Sequence, residues 1–194
     1  MRFIISPNYF HMKNAVFVRM FALVCIGLLF TGQSQAQDDK SKRASPPAVA
    51  TGKIKDATIT IDYSSPSVKG RKIFGGLLPY DKVWRAGANE ATIFTTSKDI
   101  EVEGKTLKAG KYSLFATPGQ KEWIVYFNSE TGQWGDKEGG AANMDPAKTV
   151  LSVTVKPKDL KDVQEKLTYT IEDKDFEKGF SLSWDKTKVF VSVK

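Results

Sequence analysis

Alternation with a period of two governs the chain from residue 51 onward, and it confines the fold to strands. Ala57, Ile59, Ile61 and Tyr63 alternate with Thr58, Thr60 and Asp62, which makes one face apolar and the other polar. The pattern returns at Thr92 to Thr96 and at Ile100 to Val102, where Glu103-Gly104 signals a turn before Leu107. Lys111 to Thr117 and Glu122 to Asn128 form the plainest hairpin, broken by Pro118-Gly119. Tyr112, Leu114 and Ala116 share one face of the first strand; Trp123, Val125 and Phe127 share one face of the second. Both strands also carry apolar groups on the opposite face (Phe115; Ile124 and Tyr126), the mark of a central strand.

Further strands are expected at Thr149 to Val155, Leu167 to Ile171, Phe180 to Trp184 and Lys188 to Val193, the last two joined through Asp185-Lys186-Thr187. Pro157 to Glu165 shows the longest trace of a 3.6-residue period, enough for a short helical turn at most. About nine short strands at 8–12-residue spacing predict an all-β fold, a single antiparallel β-sandwich, jelly-roll-like, with a barrel as runner-up.

Residues 1–36 read as a secretory signal peptide. Lys13 and Arg19 precede or flank an apolar run from Met20 to Phe30, and Ser34-Gln35-Ala36 offers a small-x-small cleavage site. Met12 opens an equally complete signal, so residues before it carry no functional weight. The apolar run of about 11 residues is short for a membrane span, which needs ~20, so no span is expected after the signal is removed. Residues 37–50 are polar and then Pro/Ala-rich and read as a flexible lead-in, with the sandwich domain over 51–194. The destination implied is export, periplasmic or extracellular.

His11 and Cys25 are the only histidine and cysteine, and both lie in the signal. The expected mature domain therefore has no imidazole or thiol for Ser-His-Asp or Cys-His catalysis, for Cys/His zinc sites, or for disulfides. No metal site and no cofactor are expected. Calcium ligands in the long loop (Asp136, Glu138, Asn143, Asp145) miss the spacing of an EF-hand. Of the net charge of +7, Arg2, Lys13 and Arg19 fall in the signal. The remaining lysines are interspersed with Asp and Glu, a solvated mixed surface rather than a nucleic-acid footprint.

Chemistry-bearing side chains concentrate at Tyr80 to Thr92, where Trp84, Arg85, Gly87, Asn89 and Glu90 stand close together. An arginine fork binds carboxylates or diols, a tryptophan offers a stacking face, and glycine permits close approach. The same residues also read as structure, with Arg85 and Glu90 as an ion pair at a corner of the sandwich and Trp84 buried beneath. A second group, Trp123, Tyr126, Asn128 and Trp134, resembles an aromatic sugar platform. Trp123 and Trp184 are expected in the core, and Trp134, in the Gly-rich loop over 129–147, is the exposed candidate. Carboxylate pairs of Glu90 with Asp81 or with Asp136 satisfy the composition of an acid–base site.

The run from Ser65 to Thr92, Ser-Pro-Ser-Val-Lys-Gly-Arg-Lys-Ile-Phe-Gly-Gly-Leu-Leu-Pro-Tyr-Asp-Lys-Val-Trp-Arg-Ala-Gly-Ala-Asn-Glu-Ala-Thr, resembles the signature of the bacterial exported family called domain of unknown function 2911. Ala109 to Phe115, Trp123 and Asn128 fit the same pattern, and the resemblance covers about Pro46 to Lys194. After Trp134-Gly135 the chain departs from it, with Asn143-Met144-Asp145-Pro146 where a Tyr-Asp stretch is expected. The resemblance implies export and one domain, and transfers no activity. It places Arg71, Arg85, Asn89 and Glu90 in the signature.

These observations lead to a non-enzymatic binding or accessory module for a carbohydrate or other polar small ligand, contacted by Arg71, Arg85, Asn89, Glu90 and Trp134. The alternatives are a carboxylate-dependent, glycosidase-like hydrolase using Glu90, and a structural envelope protein.

Overall fold

The computed structural model describes residues 39–194; the expected signal peptide lies outside them. Six strands form the larger sheet, all antiparallel: β1 (Pro47–Ile54), β2 (Ala57–Ser64), β3 (Thr92–Thr96), β6 (Gly110–Thr117), β7 (Trp123–Asn128) and β8 (Thr149–Val155), in the order β1-β2-β3-β6-β7-β8. Between β3 and β6 the chain leaves to make a small ribbon, β4 (Ile100–Val102) with β5 (Lys105–Leu107). Neighbours in sequence are thus neighbours in the sheet apart from that excursion, a meander plainer than the crossed order of a jelly roll.

The second layer is built on β9 (Pro157–Lys174) and β10 (Glu177–Ser192). Asp185, with φ of 54°, turns β10 back on itself, so that the Val193 N–H reaches the Lys178 carbonyl at 2.8 Å. This is the hairpin expected between Phe180 and Val193. The ribbon joins the same layer, because Glu101 and Lys194 exchange backbone hydrogen bonds at 2.9 Å in both directions. The sheets do not close into a barrel, and the fold is a β-sandwich.

Alternation explains the packing. In β2, Ile59 and Ile61 are buried while Thr58 and Asp62 are exposed, and Phe94, Leu114, Phe127 and Val153 continue the inward face across the large sheet. Leu167, Phe180, Leu182, Val189 and Val191 meet them from the second layer. Phe94 lies 5.2 Å from Phe127 within the sheet and 5.4 Å from Phe180 across the layers, separations typical of aromatic pairs. β6 is buried on both faces from Tyr112 to Ala116, as a central strand should be.

Two expectations are corrected. Residues 47–50 are not a lead-in but the first half of β1, paired with Ser64 to Ile61 of β2; a proline is tolerated as the first residue of a strand at the end of a sheet. Pro157 to Glu165 is strand rather than helical turn: Lys158 pairs with Lys188 and Asp159 with Thr187. Pairing with β10 overrides a weak local helical pattern.

Candidate functional site

The turn from Trp84 to Thr92 is fixed from several sides. Trp84 is buried, and it exchanges backbone hydrogen bonds with Ala116 of β6 at 2.7 and 2.8 Å. Its indole N–H donates to the Gly87 carbonyl at 3.0 Å. Ala86 takes a positive φ of 52°, and its carbonyl accepts from the Thr92 hydroxyl at 3.0 Å and from the Tyr169 hydroxyl at 2.8 Å. A side chain at Gly87 would collide with the Thr92 hydroxyl, so only glycine closes the turn this tightly. Asn89, at φ 58°, donates its amide to the Ser45 carbonyl at 2.9 Å and to the Ser64 hydroxyl at 3.1 Å. Its role is to anchor the turn to the segment before β1.

Arg85 and Glu90 do not pair with each other. Arg85 Nη1 forms an ion pair with Asp136 of the Gly-rich loop. Gly135 permits that approach, since a Cβ there would run into the Arg85 side chain and the Asn89 carbonyl. Burial pushes the Arg85 pKa below the ordinary arginine value, and its buried Nε has no partner among the described residues. An arginine remains charged under any such shift.

Glu90 faces the segment before β1 instead. Arg43 Nη1 donates to both its carboxylate oxygens at 3.0 Å, and Lys40 Nζ donates to Oε1 at 2.8 Å. Burial alone would raise the Glu90 pKa, but the Lys40, Arg43 and backbone hydrogen bonds outweigh it and bring the pKa down to about 2. Trp134 sits beside this cluster, bridged to Glu90 along the backbone, half exposed at 51%, with the Arg43 guanidinium 6.0 Å from its ring centroid. Neither Lys40 nor Arg43 was suspected from the sequence, because both fall in a stretch that reads as linker.

A groove of about 760 Å³ opens on the other side of the turn. Arg71, Lys82, Arg85 and Asp136 bring its charges; Trp84 and Trp184 line it and stack on each other, centroids 5.9 Å apart. Leu77 and Val83, two of the large apolar residues left exposed, also belong to its wall. Arg71 is held in place by donating Nε to the Val68 carbonyl at 3.0 Å and Nη2 to the Ser67 carbonyl at 2.6 Å. Of the five residues suspected from the sequence, Arg71 and Arg85 meet at this groove; Asn89, Glu90 and Trp134 are not in its lining. Lys82, Asp136 and Trp184 are among the lining residues that residue type in the sequence does not mark as contacts. No group of three or more Asp or Glu gathers among the described residues in a way that would hold a metal ion.

Fold and groove together define a two-layer antiparallel β-domain that carries an amphipathic, cation-bearing cleft. The chain belongs to the family described as Protein of unknown function (DUF2911), whose model matches residues 45–193. No curated protein and no solved structure matches the chain.

Proposed function

We propose that this protein is an exported, non-enzymatic binding or accessory module whose groove takes a polar small ligand. The observation that carries the reading is the convergence of Arg71 and Arg85 with the stacked Trp84 and Trp184 on one open cleft. Its volume falls in the range of small-molecule sites, ~300–1,000 Å³, and its mixture of apolar wall and few charged groups is the composition such sites use. The hydrogen bonds that hold the turn and Arg71 give the groove a pre-organised wall, which limits the entropy lost on binding. The hydrolase reading loses support: with a pKa of about 2 and cations on both oxygens, Glu90 has no proton to donate at neutral pH and little basicity left.

A thermal-shift panel of saccharides, organic acids and short peptides tests the proposal, run on the wild type and on Arg85→Gln. The expected result is at least one class that raises the wild-type Tm and fails to raise that of the variant. A panel without any stabiliser, or stabilisation equal in both proteins, overturns it.

A further inference from the structure

We infer that the groove is a carboxylate-recognition site in which the protein's own Asp136 holds the place of an incoming carboxylate, and that its ligand is a small organic carboxylate with an apolar body. This rests on the binding reading above and narrows it. Arg85 is the most enclosed cation of the groove, its side chain about one-fifth exposed, and it already holds a carboxylate there: that of Asp136. The pair spans two separate parts of the chain, the pinned Trp84–Thr92 turn and the loop after Gly135. Asp136 thus stands where an incoming carboxylate would compete for the guanidinium fork.

The surroundings are short of acceptors. Among the described residues, Arg85 Nε and the Trp184 indole N–H, both buried and both on groove-lining residues, have no hydrogen-bond partner, and Trp184 is 1% exposed. Unpartnered buried donors are uncommon in folded proteins, and two of them on lining residues leave this wall short of acceptors. Arg71 and Lys82 add two exposed cations at the same groove, against Asp136 as the one lining carboxylate. Arg71 already spends two donors on the Ser67 and Val68 carbonyls. Three lining cations against one carboxylate leave the groove net positive, which suits a carboxylate-bearing anion. The remaining wall, with Leu77, Val83, Trp84 and Met144, is apolar and has room for a hydrocarbon or aromatic body, whereas a neutral sugar would leave most of it without a partner.

The matched probes are 4-phenylbutyrate and its neutral amide, with glucose as a third arm, titrated against intrinsic tryptophan fluorescence. In the wild type the acid should bind about tenfold or more tightly than the amide, since one charge-assisted hydrogen bond is worth about that factor. Asp136→Asn removes the internal competitor and should tighten acid binding severalfold while leaving amide binding unchanged. Arg85→Gln should abolish the preference for the acid. Lys82→Gln, at an exposed position that the fold does not need, should weaken the acid by a few-fold and keeps the test available if Arg85→Gln fails to fold. Equal binding of acid and amide, or an Asp136→Asn protein that binds the acid more weakly, overturns the inference. Glucose bound in preference to both overturns the carboxylate class while leaving the binding reading intact, and silence from all three probes, with a thermal-shift panel also silent, removes both.

Discussion

Arg43 grips Glu90 from the segment before the first strand, one guanidinium nitrogen lying 3.0 Å from each carboxylate oxygen. This contact ties residues that lie before the sheet to the signature turn; against burial, which would raise it, the Lys40 hydrogen bond together with the backbone and Arg43 bonds brings the Glu90 pKa to about 2. Because the folded value lies below the ordinary 4.5, the contribution is complete above about pH 4.5 and is lost as pH falls toward 2. The site is one-third exposed, so solvent screening limits the effect to about 1 kcal/mol. Glu90→Gln should lower Tm by about 2–4 °C at pH 7, and the gap to wild type should close by pH 2. Melting curves across pH 2–7 check it; a gap independent of pH contradicts the assignment.

The Ala86 carbonyl offers a sharper test of the turn, because it is shared by two buried donors, the hydroxyls of Thr92 and Tyr169. Either Tyr169→Phe or Thr92→Val leaves one donor in place and should cost ~1 kcal/mol. The double variant leaves a buried carbonyl without a side-chain donor and should cost more than the two singles together, with a coupling of ~1 kcal/mol. Urea denaturation of the four proteins measures that coupling; strict additivity contradicts the shared-acceptor arrangement.

Glu172 is a carboxylate only 7% exposed, held by Lys188 Nζ at 2.8 Å and Ser181 Oγ at 3.0 Å where β9 and β10 run side by side. Burial by itself would raise its pKa; the bonds from Lys188 and Ser181 outweigh that and leave it lowered. Lys188→Met strips the chief partner and should destabilise by ~1–3 kcal/mol at neutral pH. The loss should shrink in acid, where the carboxyl, left with Ser181 and the more distant Lys174, becomes protonated and no longer carries a buried charge. Denaturation midpoints at pH 7 and pH 4 check the sign.

Gly135 should be intolerant of a side chain. Gly135→Ala places a methyl against Arg85, forcing the loop away and breaking the ion pair with Asp136. A cost of ~1–3 kcal/mol is expected from such overpacking. The same substitution at Gly132, where nothing lies within 4 Å of an added Cβ but φ is 89°, should cost less, from backbone strain alone.

The strands that carry the core are legible because burial on one face imposes alternation, as at Ile59 and Ile61 or at Tyr112, Leu114 and Ala116. The hairpin of β6 and β7, with Leu114 opposite Phe127, follows from its own residues. What lies at the margin does not. Pro47 to Ala50 look like linker, since a strand ending the sheet needs no strong apolar pattern, and the polar start of β9 declares itself only through its partner β10. The site was half visible. Arg71 and Arg85 are conspicuous by residue type, but the partners of Arg85 and Glu90 come from elsewhere in the chain, Asp136 and Lys40 with Arg43. Opposite charges are interchangeable in composition, and only the folded backbone decides which of them meet.

Four tryptophans give the most direct reading of where a ligand sits. Two line the groove (Trp84, Trp184), Trp123 is buried at 2% exposure, and Trp134 stands half exposed beside Arg43. Assigned indole N–H resonances, followed in a nitrogen–proton correlation spectrum during titration with the strongest stabiliser from the ligand panel, separate these positions. The Trp184 indole, with no acceptor among the described residues, should shift most while that of Trp134 stays in place. A Trp134 resonance that moves while Trp84 and Trp184 remain still would put the binding surface on the Arg43 side and contradict the groove.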